Sequence, residues 1–344
     1  MIRRTVQGLA PYVPGEQPRE KDVVKLNTNE NPYPPSPAVA EALGRFDPAR
    51  LRKYPDPAST ALRLRLAGLF GCAPANTIVA NGSDEILGLC TRAFAENDGL
   101  VGYFVPSYSL YPVLANIRGI RQAPLELDEE YRWSMPDGYD CDLFFLTHPN
   151  APTGTAQPRE AVAAFCGRTR GVVVIDEAYA EFADTNFVDL ALSLPNVIVV
   201  RTLSKSYSLA GLRVGYAVGP VELIAALDKI KDSYNADALA QELALAALSD
   251  REYVLRNIER VRRSRERLAA ALRGMGHRVY PSMANFLWVK PAGISAAGLQ
   301  AALKARRIFI RHFPGPRTGM CVRITVGTDA EVDALLKAME ELRS

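Results

Sequence analysis

Histidine and tryptophan are scarce in this 344-residue chain, at three and two, and its five cysteines include no Cys-x-x-Cys pair. The histidines, His148, His277 and His312, stand at no ligand spacing from a cysteine or from one another, which speaks against a metal site. Cys72, Cys90, Cys141, Cys166 and Cys321 are an odd, scattered set, as expected of reduced thiols in a cytosol-like compartment rather than of a disulfide scaffold. No apolar run approaches the ~20 residues of a membrane span, and the opening MIRRTVQGLAPYVPG lacks an apolar stretch of signal-peptide length. A dominant charge is missing too, since 41 basic residues face 38 acidic ones for a net +3. That balance argues against nucleic acid or a membrane surface as partner. The expectation is a cytoplasmic protein acting on small molecules, without a metal.

What is present is a core. With 48% hydrophobic residues, the chain is long enough for two domains or one large α/β domain with an appendage. The first 45 or so residues, centred on NTNENPYPPSP, read as an irregular arm held by turns rather than ladders, contributing in part to a smaller domain. From about residue 60 the runs TIVANG, LVGYFV, DLFFLTH, GVVVIDEAY, NVIVVRT and VGYAVG alternate with helical stretches. Such near-continuous apolar runs predict buried strands of a mostly parallel sheet covered by helices, an α/β architecture. A large domain is expected over 46–240 and a small α/β domain over 241–344. A long helix is expected where Val254, Ile258, Val261, Leu268 and Leu272 recur at helical spacing. Its RNIERVRRSRER stretch reads as a solvated face laced by i,i+4 ion pairs.

The segment RTLSKSYSLAGLRVGYAVG carries the strongest chemical signal. Lys205 follows a strand of buried type and Ser204, and Arg213 lies eight residues on. A lysine at the end of a core strand is placed where burial can depress its pKa and make it a nucleophilic amine suited to a Schiff base. Upstream, NGSDE ends a strand at Gly82 and opens an amphipathic helix with Ser83 and Asp84. The N–H groups of such a helix start can hold a phosphate, although Ser or Asp there is also ordinary capping.

The pattern S-K-x3-L-x-G-x-R-x-G is similar to the lysine signature of the fold-type I pyridoxal-phosphate-dependent aminotransferases. Further matches run through KLNTNENPYPPSP, KYPDP, NGSDE, VPSYSLY, HPNAPTG, VIDEAYAEF and VRITVGT, in the order and spacing of the histidinol-phosphate aminotransferase subfamily. The resemblance implies a large domain with a mostly parallel central sheet, a smaller α/β domain and pyridoxal 5'-phosphate as cofactor. It makes Lys205 the cofactor-bearing lysine and gives Asp176 the protonated ring nitrogen, an ion pair that keeps the ring an electron sink. Tyr179 would donate to the cofactor's phenolic oxygen and Tyr108 stack on its ring. Gly82, Ser83, Asp84, Ser204 and Arg213 would hold its phosphate, Arg through its bidentate fork. Tyr54 would be delivered to that phosphate by the second subunit of a homodimer with shared sites. Many relatives read N-N-P-T-G where this chain has Asn150-Ala151-Pro152, which leaves Asn150 as the nearby candidate for the cofactor oxygen. Arg311, Arg323 and Tyr12 match residues that bind substrate.

The function implied is transamination between L-histidinol phosphate and 2-oxoglutarate in histidine biosynthesis. The rivals are an aromatic-amino-acid aminotransferase or a threonine-phosphate decarboxylase on the same scaffold, and a non-catalytic binding or regulatory domain.

Overall fold

The runs LFFLT, VVVID and VIVVRT are apolar on both faces, and each becomes a strand almost wholly removed from water. In the computed structural model, which describes residues 1–9, 14–20, 22–136 and 138–342, the strands are β1 (Val24–Leu26), β2 (Thr77–Ala80), β3 (Leu100–Val105), β4 (Arg121–Glu126), β5 (Leu143–Thr147), β6 (Val172–Asp176), β7 (Val197–Thr202), β8 (Gly215–Val218), β9 (Arg278–Val279), β10 (Phe286–Lys290), β11 (Ile308–His312) and β12 (Val322–Thr325). They form a large sheet, ordered β2-β8-β7-β6-β5-β3-β4, and a small one, β1-β11-β12-β10-β9. In the large sheet β4, β3, β5, β6 and β7 pair in parallel, and only β8 runs against its neighbours.

Period-two alternation divides the large sheet's side chains between two layers. Phe144, Leu146, Val173, Ile175 and Val199 enter one apolar cluster, and Leu143, Phe145, Val174, Ile198 and Val200 the other. The second is closed by the helices Ser83–Phe94, Leu110–Arg118 and Val221–Ile230. Each large side chain so buried contributes about 1.5–3 kcal/mol. The expected long helix spans Arg251–Gly274, and it serves two cores. Val254, Ile258 and Val261 pack with the large domain, while Leu268 and Leu272 pack with the small sheet and the helices Ala296–Ala305 and Asp329–Glu341.

Two expectations need correction. The first 45 residues are not held by turns alone: Val24, Lys25 and Leu26 pair in parallel with Ile308, Phe309 and Ile310, and Pro37–Arg45 is a helix whose Ser36 hydroxyl accepts from the Ala38 N–H at 3.1 Å. The strand partner lies far along the chain, so no local pattern announces that ladder. The arginine-rich helix face is also only partly solvated. Arg263 pairs with Glu259 as expected, but Arg265 is buried and donates to the Ala284 carbonyl at 3.0 Å, and Arg262 donates to the Phe182 carbonyl at 3.1 Å. These arginines fasten the long helix to backbone carbonyls that would otherwise be orphaned.

The fold brings the carboxyl ends of β5, β6 and β7 to one edge, where open α/β sheets place their ligands. Among the described residues no helix is long and apolar enough to cross a membrane.

Candidate active site

β6 ends in Asp176 and its parallel neighbour β7 in Thr202, three residues before Lys205. Just beyond, the buried Glu177 carboxylate accepts from Arg201 Nε at 2.8 Å, joining the two strand ends with an ion pair the sequence did not single out. The Asp176 carboxylate accepts from the Tyr111 hydroxyl at 2.9 Å and the Ala178 N–H at 3.1 Å. Burial pushes its pKa up to about 6, and the leading influences on it besides burial, Tyr111, the Ala178 N–H, Asp84 and Glu177, are not cations. A buried carboxylate so placed favours a positively charged ligand atom. Tyr111 is itself anchored, stacked on Phe145 and 2.6 Å from Thr147 Oγ1.

Lys205 Nζ donates to the Thr28 carbonyl at 3.3 Å and lies 5.8 Å from the centroid of the Tyr179 ring. The N-terminal segment wraps this pair. Asn31 donates to the carbonyls of Lys205 and Ser206 at 3.1 and 3.2 Å, and Asn29 Nδ2 donates to the Tyr179 hydroxyl at 2.9 Å. Tyr108 presents its ring edge-on to Tyr111, centroids 5.6 Å apart, and its hydroxyl donates to Asp84 at 3.1 Å.

At one end of the site the helix Ser83–Phe94 begins from Gly82 with no side chain capping its first N–H groups, so neither Ser83 nor Asp84 acts as a cap. Gly82 sits at φ +81°, and a Cβ there would lie 2.6 Å from Arg213 Nη2. Arg213 also approaches Ser204 Oγ at 3.4 Å and the Asp84 carboxylate at 3.7 Å. Uncapped N–H groups, a hydroxyl and a guanidinium around a glycine make an anion cradle. Asp84 faces Arg213 and Tyr108 with its carboxylate, so its offer to an anion is its backbone.

At the opposite end β11 and β12 place Arg311 directly opposite Arg323. Arg323 Nη2 donates to the Asn27 carbonyl at 3.0 Å and Arg311 Nη1 to the Pro14 carbonyl at 3.2 Å. Lys205, Asp176, Tyr179, Arg213, Arg311 and Arg323 all line one cavity of about 440 Å³. Three expected residues are not on its wall, Gly82, Asn150 and Tyr54, although Ser83 and Asp84 next to Gly82 are. Asn150 uses its amide hydrogens on the Pro106 carbonyl (3.0 Å) and Thr153 Oγ1 (2.8 Å), and Ala151 lines the cavity beside it. Tyr54 is 80% exposed and stacks on Tyr234. Tyr12 lies outside the described residues.

The residues fit pyridoxal phosphate: an anion cradle for its phosphate, an amine for its aldehyde, and a buried unneutralised carboxylate for its ring nitrogen. Sequence reasoning missed Asn29, Asn31 and Tyr111. Their signal was present, since Tyr111 stands three residues after Tyr108 at the start of the helix Leu110–Arg118, and NTNEN is part of the matching segment KLNTNENPYPPSP.

A model of the aminotransferase class I and II family matches residues 21–339. The chain is 46% identical to the histidinol-phosphate aminotransferase of Syntrophotalea carbinolica, with 99% of each chain covered. Its fold superposes with a TM-score of 0.89 on the histidinol-phosphate aminotransferase of Sinorhizobium meliloti in complex with pyridoxal-5'-phosphate, at 29% identity over 99% of this chain and 97% of that one. The L-threonine-O-3-phosphate decarboxylase of Porphyromonas gingivalis shares the fold at a TM-score of 0.84 and 22% identity, with 93% of this chain and 99% of that one covered.

Proposed function

The chain belongs to the class I and II aminotransferases, and from that membership we propose that it exchanges an amino group between L-histidinol phosphate and 2-oxoglutarate in histidine biosynthesis. It is a pyridoxal-phosphate-dependent enzyme. The observation that carries the substrate assignment is the cross-strand pair Arg311 and Arg323, which shares a cavity with Lys205. Two guanidinium groups facing one cavity favour an anion between them. Histidinol phosphate has no carboxylate, so its phosphate takes that place. A carboxylate of 2-oxoglutarate takes it in the second half of the cycle.

When bound, pyridoxal phosphate supplies an aldehyde that captures the substrate amine and a ring that accepts electrons. Lys205 would hold the aldehyde carbon, and its Nζ, once free as an amine, would carry the proton between the substrate Cα and that carbon. Asp176 would hold the ring nitrogen protonated, and Tyr179 would direct its hydroxyl hydrogen to the phenolic oxygen. Tyr108 would cover the ring face. Ser204, Arg213 and the N–H groups from Gly82 to Asp84 would hold the phosphate. Tyr54, exposed and not on the wall of its own cavity, serves the neighbouring site of a homodimer.

Steady-state comparison of histidinol phosphate, histidinol, Phe, Tyr and threonine phosphate tests the reading. Preference for histidinol phosphate with parallel-line, ping-pong kinetics supports it. Preference for Phe or Tyr transfers the assignment to an aromatic aminotransferase, and carbon dioxide release from threonine phosphate to a decarboxylase.

A further inference from the structure

Asn29 is 1% exposed and holds a backbone φ of +56°, a left-handed conformation that asparagine tolerates better than most residues. Four hydrogen bonds account for that placement. Its N–H donates to Thr325 Oγ1 at 3.0 Å, and the Thr325 hydroxyl donates back to Asn29 Oδ1 at 3.0 Å. Its carbonyl accepts from Asn285 Nδ2 at 3.0 Å. With Oδ1 committed to Thr325, the amide nitrogen is the group that faces Tyr179, and Nδ2 donates to that hydroxyl oxygen at 2.9 Å. A phenol oxygen that accepts from Asn29 keeps its own hydrogen for a different acceptor. Tyr179 lines the cavity.

We propose that Asn29 is a positioning residue of the transamination site, orienting the Tyr179 hydroxyl hydrogen into the cavity and tying it to the strand that carries Arg323. The proposal rests on the cofactor reading above. Three observations give it weight. Asn150 has both amide hydrogens engaged elsewhere and Ala151 has none to offer, so among the residues assigned to the cofactor's phenolic oxygen Tyr179 is the donor that remains. The Asn29 amide polarises that hydroxyl and strengthens it as a donor. Thr325 stands two residues from Arg323 on β12, and Tyr179 packs edge-on against Phe286, the same ring over which Arg323 lies at 5.3 Å. A shift of the small domain toward an anion at Arg323 therefore reaches the Tyr179 hydroxyl through Asn29.

The readout is the pH midpoint of the visible absorption band of the cofactor-loaded protein. A hydrogen bond to the phenolic oxygen withdraws negative charge from beside the protonated nitrogen of Lys205. Losing the bond leaves that proton held to higher pH, so the midpoint rises. Asn29→Asp keeps the size, the Thr325 contact and tolerance of the left-handed backbone, but its carboxylate accepts from Tyr179 and draws the hydrogen out of the cavity. It is expected to raise the midpoint about as far as Tyr179→Phe does, by roughly one pH unit. Asn29→Gly suits the positive φ, removes the amide without adding charge, and is expected to give about half that shift. In the Tyr179→Phe background neither change should add to the shift.

A wild-type midpoint in Asn29→Asp and Asn29→Gly, with Tyr179→Phe shifted, overturns the proposal. So does a shift from Asn29→Asp that persists in the Tyr179→Phe background, because the added charge alone would then explain it. A wild type that binds the cofactor with no pH-dependent band overturns the site reading itself, a failure distinct from these.

Discussion

Arg311 and Arg323 share one aromatic ring: their guanidinium carbons lie 5.0 and 5.1 Å from the centroid of Phe313. The ring's negative face eases two like charges into one cavity wall. A charge-assisted contact contributes about 1.5–3 kcal/mol net, so Arg323→Gln should lower kcat/KM for histidinol phosphate by roughly 10- to 150-fold. Unphosphorylated histidinol should be far less affected, narrowing the preference between them. Equal losses on both substrates would remove the phosphate from this pair.

Asp176 gives a pH-dependent expectation. Burial raises its carboxyl to about 6 from the 3.8 of an exposed aspartate. At high pH both folded and unfolded chains carry the charge, and the cofactor-free fold is penalised for it. As pH falls through about 6 toward 4 the folded chain takes up a proton the unfolded chain lacks, and stability rises. Asp176→Asn should therefore stabilise the cofactor-free protein by about 1–3 kcal/mol at about pH 8. The gain should fade toward about pH 4, followed by thermal melts across the range. Loading the cofactor should reverse the order, with turnover of the variant severely reduced. A variant less stable than wild type at high pH without cofactor would contradict the unneutralised carboxylate.

Residues that act alone on a strand end were legible in the sequence. Asp176 ends an apolar run that had to be buried and Lys205 closely follows another, so both side chains emerge at the sheet's edge, and Arg213 was legible through the motif it shares with Lys205. The helix periodicity of Val254 through Leu272 was equally plain, because its partner surface did not need to be known. What escaped was non-local. β1 takes its ladder from residues nearly three hundred positions away, and Asn29 takes its meaning from Thr325, Asn285 and Tyr179 together. Arg265 looked solvated because its neighbours were charged, while its own direction on the helix led inward to the Ala284 carbonyl.

Tyr54 supplies a test of the shared site. It is 80% exposed, stacked at 4.3 Å on Tyr234, and absent from the wall of its own cavity. Two exposed aromatic rings in contact offer a flat surface that a second copy of the chain would cover. Mixing inactive Tyr54→Ala and Lys205→Ala proteins should restore partial activity, because a mixed dimer assembles one intact site. No recovery, with subunit exchange demonstrated by tagged chains, would confine Tyr54 to its own subunit.

Gly82 allows the phosphate cradle to be separated from the rest of the site. At φ +81° an alanine is strained by about 1–2 kcal/mol. Its Cβ would also stand 2.6 Å from Arg213 Nη2 and 3.2 Å from Cζ. Arg213, itself at φ +58°, would have to swing its guanidinium off Ser204 to make room. Gly82→Ala should weaken binding of pyridoxal phosphate by about 10- to 100-fold, the loss of one charge-assisted contact. Gly88, on the same helix, has no atom nearer than 3.8 Å to an added Cβ. Gly88→Ala is thus the matched control, expected to leave affinity unchanged and to stabilise the helix slightly. The deciding comparison uses pyridoxal without its phosphate, measured by absorbance titration against both variants. Pyridoxal has nothing to place against Arg213, so Gly82→Ala should leave its weak binding nearly as it is in wild type. Loss of pyridoxal and pyridoxal phosphate in equal proportion would show that the added methyl disturbs the ring site, and the cradle would then have to be sought elsewhere on the cavity wall.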